Sequence, residues 1–256
     1  MMNISLAAKI PADFDKYLEK LQWENSCFQD TKQLNKNEFR RADVIGLAVD
    51  YLSRMMITGD KNKAFRISLM FKDIPYFVNH PDNPMCKAAD SFFEKINGMS
   101  DLSIINACYL VCFDDLVRAA NFDHDKFIYL QTLQHDEYKP TVDNIQTMVQ
   151  RCIEYFKHSK PDTGFGVKYG ILHGDGDFVT DTELCDLKTS KHYPTFKDKK
   201  QVLLYWYAGL HTAGLDFSKI DTLSIFNPRL NMAWKLKVSQ LPEDLLDDLD
   251  MFCRYG

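Results

Sequence analysis

Two charged residues at the end of one short apolar stretch, Asp186 and Lys188, are the first candidates for chemistry in this sequence. The pattern from Leu184 to Lys188 predicts a strand, and residues two apart in a strand project from the same face. Asp186 and Lys188 therefore share a face, while Leu187 points the other way. Asp177, on the neighbouring strand or in the connecting turn, would bring a second carboxylate alongside them.

Two carboxylates and a backbone carbonyl form a hard oxygen site of the kind that binds Mg²⁺ or Mn²⁺. Such an ion lowers the pKa of water and neutralises charge on phosphoryl oxygens, as in metal-assisted phosphodiester hydrolysis. Lys188 would then hold the attacking water. The alternative is a surface ion pair between Asp186 and Lys188, which would stabilise the fold by roughly 0 to 1 kcal/mol.

Three short motifs, in one order along the chain, resemble the signature of a nuclease family. They are GDGD at 174–177, DLKTS at 186–190 and QVLLY at 201–205. Together they resemble the G-x-x-D, D-x-K-T and Q-x-x-x-Y series of the PD-(D/E)XK nucleases, in the RecB-like branch. The resemblance covers residues 140 to 240 or so and does not extend into the N-terminal part of the chain. It implies an α/β fold with a restriction-endonuclease-like mixed sheet flanked by helices.

The resemblance also implies roles for individual residues. Asp177 and Asp186 would ligate Mg²⁺ or Mn²⁺, the Leu187 carbonyl would join them, and Lys188 would be the catalytic lysine. Gln201 and Tyr205 lie one turn apart on a predicted helix, and the family uses these positions to line the site and to hold the lysine, the nucleophile or the substrate. The alternative for this helix is an amphipathic face that only packs on the sheet.

Glu154 is the candidate for a third acidic ligand, because the family often adds an acid from the helix before the first core strand. The helical wheel argues against it. At 100° per residue Glu154 falls opposite the arc centred on Ile145 and Cys152, so it would face solvent or the N-terminal helices if that arc faces the sheet.

Two histidines and one further aspartate are secondary candidates. His173 and Asp175 share strand parity with Asp177 if the strand continues unbroken, although the glycines of GDG permit a turn or bulge. His173 is favoured as a structural residue. His211 is expected to be the polar end of the helix that carries Gln201.

The elements that must position these residues follow from the periodicity of apolar side chains. Beyond residue 140 the pattern predicts helix, three strands, helix, two strands and helix, an α/β arrangement. The first of these helices is expected to be capped by Thr141. The predicted ranges are helices at 142–159, 201–212 and 242–256, and strands at 167–173, 178–179, 184–188, 222–226 and 233–238.

The N-terminal half reads as helical. Apolar residues recur at helical spacing between 14 and 21, between 44 and 56 with a stop at Gly59, and between 104 and 117 after a Ser100 cap. We expect a helical region at 1–140 packed on a nuclease-like core at 141–256, as one continuous globular domain.

Composition limits the class of protein. The chain has 256 residues, 45% of them hydrophobic, and a net charge of −5. Seven cysteines without C-x-x-C spacing favour a reducing cytoplasm over a disulfide framework or a zinc site. No apolar run approaches the ~18 residues that a bilayer span needs, and no export signal is recognised.

The segment KTSKHYPTFKDKK concentrates positive charge in Lys191, Lys197, Lys199 and Lys200. It predicts either a phosphate-facing edge or a solvated loop. We therefore expect a metal-dependent nuclease that hydrolyses phosphodiester bonds in nucleic acid, with DNA as the favoured substrate. The alternative is a catalytically inactive binding or scaffolding protein of the same fold, whose acidic surface serves a protein partner.

Overall fold

A computed structural model describes all residues from 1 to 256 as a mixed α/β protein. The strands are β1 (Met2–Asn3), β2 (Glu24–Cys27), β3 (Asp162–Thr163), β4 (Gly166–Tyr169), β5 (Leu172–Asp175), β6 (Phe178–Val179), β7 (Glu183–Leu187), β8 (Thr222–Asn227) and β9 (Met232–Lys237). The helices are α1 (Ile4–Ala7), α2 (Asp15–Leu18), α3 (Ala42–Thr58), α4 (Lys61–Ala64), α5 (Arg66–Leu69), α6 (Pro75–Asn79), α7 (Pro84–Lys95), α8 (Asp101–Leu110), α9 (Asp114–Arg118), α10 (His124–Thr132), α11 (His135–Tyr155), α12 (Phe196–Leu210) and α13 (Glu243–Tyr255). Measured against a bilayer, every helix is too short or too polar to span it.

The chain divides into two compact units. The first combines Met1–Asp30 with His158–Gly256 and contains all the strands, whereas the second, Thr31–Lys157, is helical. The predicted boundary at residue 140 lies inside α11. Residues 1–30, which the sequence pattern placed in a helical region, supply β1 and β2 to the sheets of the first unit.

The first unit contains two mixed sheets. The larger has the order β2-β9-β8-β7-β6-β3, in which only β7 and β8 are parallel neighbours. The smaller has the order β1-β5-β4, with β1 parallel to β5. Parallel neighbours need a crossover connection, and α12 supplies it between β7 and β8. Val202 of α12 packs into one apolar core with Leu184, Leu223 and Ile225 from these strands.

One bent β-hairpin links the two sheets. The β3–β6 and β4–β5 pairs keep a common register, and between them Gly176 N–H donates to the Phe165 carbonyl at 2.9 Å. The chain bends at Gly176, where a Cβ atom would lie 2.1 Å from the Phe165 ring, so only glycine fits. The single strand predicted at 167–173 is wrong, because Gly170 adopts a left-handed φ of 55° and turns the chain between β4 and β5.

One helix end and one helix start agree with the signals in the sequence. Gly59, with φ 74°, ends α3, and the Ser100 hydroxyl accepts from Ser103 N–H to cap α8, so both predictions are confirmed. The helix predicted to continue to residue 117 is instead interrupted after Leu110 by a 3-10 turn at Val111–Phe113.

Two helix starts differ from the prediction. The Thr141 cap is wrong: α11 begins at His135 with a capping box between Gln134 and Glu137, and Thr141 instead accepts from Phe39 N–H inside its unit. The helix α12 starts five residues before Gln201, at Phe196, after a capping box formed by Thr195 and Asp198.

Candidate functional site

The end of β7 carries the D-x-K residues in a buried position. Asp186 is only 5% exposed and Lys188 Nζ lies 2.8 Å from its Oδ2 atom. Lys188 N–H donates to the Phe226 carbonyl at 2.9 Å, which extends the parallel pairing of β7 with β8 by one residue. Asp186 and Lys188 therefore share a face as predicted, but their ion pair is not the surface pair that the alternative interpretation required.

Asp177 directly precedes β6, the antiparallel neighbour of β7 in which Phe178 pairs with Cys185. Asp177 and Asp186 line the same crevice. Asp177 Oδ2 accepts from Leu187 N–H at 2.8 Å, a contact that ties the bend of the hairpin to the end of β7. The fold thus brings together the two carboxylates that the sequence selected as metal ligands.

The Lys188 ammonium lies among three acceptors. Besides Asp186, it has Asp198 Oδ1 at 3.6 Å and donates to Gln201 Oε1 at 3.3 Å. Burial opposes its charge, but the carboxylates of Asp186, Asp177 and Asp198 outweigh burial and raise the pKa of Lys188 above its usual value. Lys188 is therefore a charged group at neutral pH.

The pKa of the Asp186 carboxyl lies above that of an ordinary surface carboxyl. Burial raises its pKa to about 7; the charge of Lys188 acts to lower it, and the charge of Asp177 acts to raise it further. An additional cation close to Asp186 would therefore stabilise the charged form of this buried carboxyl.

Helix α12 forms one wall of the site. Gln201, which donates from Nε2 to Ser5 Oγ at 3.1 Å, and Tyr205 lie one turn apart, as predicted. Burial, together with the charges of Asp177 and Asp186, raises the pKa of Tyr205. A crevice too narrow to admit a water molecule lies beside the two carboxylates; it is lined by Gly176, Asp177, Leu184, Cys185, Asp186, Val202 and Tyr205.

Gly174 of β5 allows Tyr205 to take this position. A Cβ atom at residue 174 would lie 2.8 Å from Tyr205 Cε1 and 3.1 Å from its hydroxyl oxygen. The first glycine of the GDGD motif therefore provides room for the last residue of the QVLLY motif.

Two residues of the site were missed by the sequence reasoning. Asp198 belongs to the T-x-x-D capping box before α12, a signal that the sequence does contain. Ser5 lies on α1, where its N–H is capped by Asn3, and it reaches Gln201 across 196 positions of sequence. No local pattern indicates such a contact.

The other candidates lie in different surroundings. Glu154 lies on α11 of the helical unit, where its exposed carboxylate pairs with Lys157, and its role as a third ligand stays a prediction. His173 is half-buried within β5, and Asp175 is exposed at its end. His211 follows the last residue of α12 and stacks on the Tyr169 ring with centroids 4.2 Å apart.

One residue of the basic segment is not available to a substrate. Lys200 is 1% exposed; its ammonium donates to Asp15 Oδ1 at 2.6 Å and to the Ile10 carbonyl at 2.7 Å. Its predicted place on a phosphate-facing edge is wrong, because position 200 falls on the buried face of α12. Lys191 is exposed, and Lys197 and Lys199 are partly exposed.

The donor set is compatible with a hard divalent cation. No cluster of three or more His, Cys, Asp or Glu side chains is arranged to hold a metal. Mg²⁺, however, often binds through one or two carboxylates and keeps several waters, and Asp177 with Asp186 matches that requirement. The assignment depends on this geometry alone: no protein-family model matches the chain, and no curated protein matches it significantly.

Proposed function

We propose that the protein is a metal-dependent nuclease of the PD-(D/E)XK type, in the RecB-like branch, and that it hydrolyses phosphodiester bonds in DNA. The observation that carries this proposal is the position of Lys188: its ammonium contacts Asp186 and Gln201, and Asp177 lines the same crevice as Asp186. Residues from all three motifs thus meet at one end of the parallel pair β7–β8. The fold we propose for the first unit is restriction-endonuclease-like, which the β7–α12–β8 crossover supports.

Asp177 and Asp186 would hold Mg²⁺ or Mn²⁺, with the Leu187 carbonyl and water as further ligands. The metal, when bound, supplies charge neutralisation at the phosphoryl oxygens and lowers the pKa of a coordinated water. Lys188 donates a hydrogen bond to the attacking water and stabilises the negative charge that develops on it.

Gln201 and Tyr205 orient the reacting groups from α12. The Gln201 side chain bridges Lys188 and Ser5, which limits the positions that the ammonium can adopt. Tyr205 lines the same crevice as the two carboxylates. DNA would approach along Lys191, Lys197 and Lys199, and the seven cysteines fit a reducing cytoplasm.

Cleavage assays with purified protein test the proposal. Single- and double-stranded DNA and RNA are incubated with Mn²⁺, Mg²⁺ or EDTA, for the wild type, Lys188→Ala and Asp186→Ala. We expect Asp186→Ala to lose metal binding and cleavage together, and Lys188→Ala to keep metal binding while cleavage falls by roughly 10²- to 10⁴-fold. Lys168→Ala, at an exposed position on β4, is the control for purification and should cleave like the wild type.

An equal rate for the wild type and Lys188→Ala on every substrate would refute the nuclease assignment. The second candidate, an inactive binding protein of the same fold, is favoured by one observation. Both carboxylates are already engaged by the chain itself, Asp177 by Leu187 N–H and Asp186 by Lys188. Nucleic-acid binding without metal-dependent cleavage would support that candidate.

A further inference from the structure

The Lys188 ammonium occupies one side of Asp186, the carboxylate proposed to bind the metal. The ammonium lies 2.8 Å from Asp186 Oδ2, the length of a charge-assisted hydrogen bond. A second cation on this carboxylate would have to displace the ammonium from that oxygen. A divalent ion would need to approach a carboxylate oxygen to ~2.1 Å, and it would repel an ammonium on the same group.

A second carboxylate is placed to receive the displaced ammonium. Asp198 Oδ1 lies 3.6 Å from Lys188 Nζ, so a movement of about 1 Å brings the pair to the ~2.7 to 2.9 Å of a charged hydrogen bond. The flexible four-carbon stem of lysine permits such a movement.

The Asp198 carboxylate is held in this orientation. Its Oδ2 atom accepts from Thr195 N–H at 2.8 Å and from the Thr195 hydroxyl at 2.7 Å, as part of the capping box of α12. Its side chain is 21% exposed, so it is less desolvated than Asp186. Gln201 Oε1, 3.3 Å from the ammonium, accepts from the same group and lies one turn further along the helix.

We propose that Lys188 and the metal compete for Asp186, and that Asp198 is the positioning residue that holds the Lys188 ammonium when the metal binds. In the metal-free site the lysine neutralises Asp186. In the metal-bound site it rests on Asp198 and Gln201, from which it can reach the attacking water. This inference depends on the metal site of the proposed function, but it concerns how that site is regulated.

A double-mutant cycle on Mn²⁺ affinity tests the inference without measuring catalysis. The dissociation constant for Mn²⁺ is determined from the electron paramagnetic resonance signal of free Mn²⁺ for the wild type, Lys188→Met, Asp198→Asn and the double variant. We expect Lys188→Met to bind Mn²⁺ at least tenfold more tightly than the wild type, because the competing cation is gone. Asp198→Asn should weaken binding at least fivefold when Lys188 is present.

The double variant distinguishes two explanations for an effect of Asp198 on Mn²⁺ affinity. If Asp198 acts through the lysine, Asp198→Asn changes Mn²⁺ affinity less than twofold in the Lys188→Met background. An equal weakening in both backgrounds would mean that Asp198 acts on the metal directly through its charge, and would overturn the inference. So would a Lys188→Met variant that binds Mn²⁺ no more tightly than the wild type, or a site that binds no Mn²⁺ in any variant.

Asparagine is chosen because it removes the charge and keeps an oxygen that can cap α12. If Asp198→Asn lowers the melting temperature by more than about 5 °C, Asp198→Ser takes its place in the same cycle. Cleavage is measured separately. If Lys188 and Asp198 are coupled in Mn²⁺ binding but no substrate is cleaved, the competition for Asp186 is supported and the nuclease assignment is wrong. If a substrate is cleaved but the two residues are not coupled, the nuclease assignment is supported and the competition is wrong.

Discussion

Lys200→Met is expected to destabilise the strand-containing unit strongly, although it alters a lysine in a basic surface segment. The substitution keeps most of the aliphatic volume but removes the ammonium from Asp15 and from the Ile10 carbonyl. It also removes a cation from above the Phe14 ring, 4.5 Å from the ring centroid.

The size of the effect depends on the Asp15 carboxylate, which loses its cationic partner. Breaking a buried ion pair by removing one partner costs about 3 to 5 kcal/mol when the other charge stays buried. The Asp15 side chain is 24% exposed, so water partly hydrates the remaining carboxylate and places the cost near the lower end. The lost hydrogen bond to Ile10 adds about 1 kcal/mol. We expect a loss of about 4 kcal/mol in the free energy of unfolding.

Urea denaturation followed by tryptophan fluorescence measures this loss in the relevant unit. All three tryptophans, Trp23, Trp206 and Trp234, belong to the strand-containing unit. With a slope of about 2 kcal/mol per molar urea, the midpoint should fall by roughly 2 M.

Lys197→Met is the matched control for this experiment. Lys197 lies on the same helix three residues earlier, at a partly exposed position, and its substitution should change stability by no more than about 0.5 kcal/mol. If the two variants unfold at the same urea concentration, the structural role assigned to Lys200 is wrong.

Three other predictions concern the site and its approach. Gly174→Ala should cost about 1 to 3 kcal/mol by forcing Tyr205 aside, whereas Gly166→Ala, whose nearest new contact is 3.9 Å away, should be tolerated; equal urea midpoints for the two would contradict the packing described. The pKa of Asp186 is raised to about 7 in the folded chain, against 3.8 for an ordinary aspartate. Between these two values the folded chain holds a proton that the unfolded chain releases. The resulting contribution to stability is complete below pH ~4 and is lost as the pH rises through about 7. Asp186→Asn should therefore remove this decline from the stability profile measured by urea titration between pH 4 and 7, and an unchanged profile would refute the assignment. Lys197→Ala should reduce the slope of log affinity against log salt for duplex DNA by about 0.9, measured by fluorescence anisotropy, and an unchanged slope would remove this lysine from the DNA-binding surface.

Local sequence patterns predicted much of the first unit. The parity of Asp186 and Lys188 follows from strand geometry, and the shared face of Gln201 and Tyr205 follows from the helical repeat. The strand and helix order from β6 to α13 was also predicted, because each element carries its own apolar periodicity. The left-handed stop at Gly59 is a further local signal.

Errors arose where two local signals competed or where one was overlooked. The alternation from Val167 to His173 suggested one strand, but Gly170 interrupts it with a turn. The Thr141 cap is wrong because α11 begins earlier, at His135, where the Glu137 carboxylate accepts from Gln134 N–H at 2.8 Å.

Local patterns in the chain are enough to identify residue types that could bind a metal and pairs that share a face within one element. The placement of Asp177 beside Asp186, the contact of Ser5 with Gln201 and the burial of Lys200 against Asp15 depend on how distant segments pack. The difference lies in the range of the interactions. Backbone geometry sets the spacing of side chains inside a strand or helix, whereas contacts between distant segments depend on how the apolar faces of those elements pack together, which no local repeat specifies.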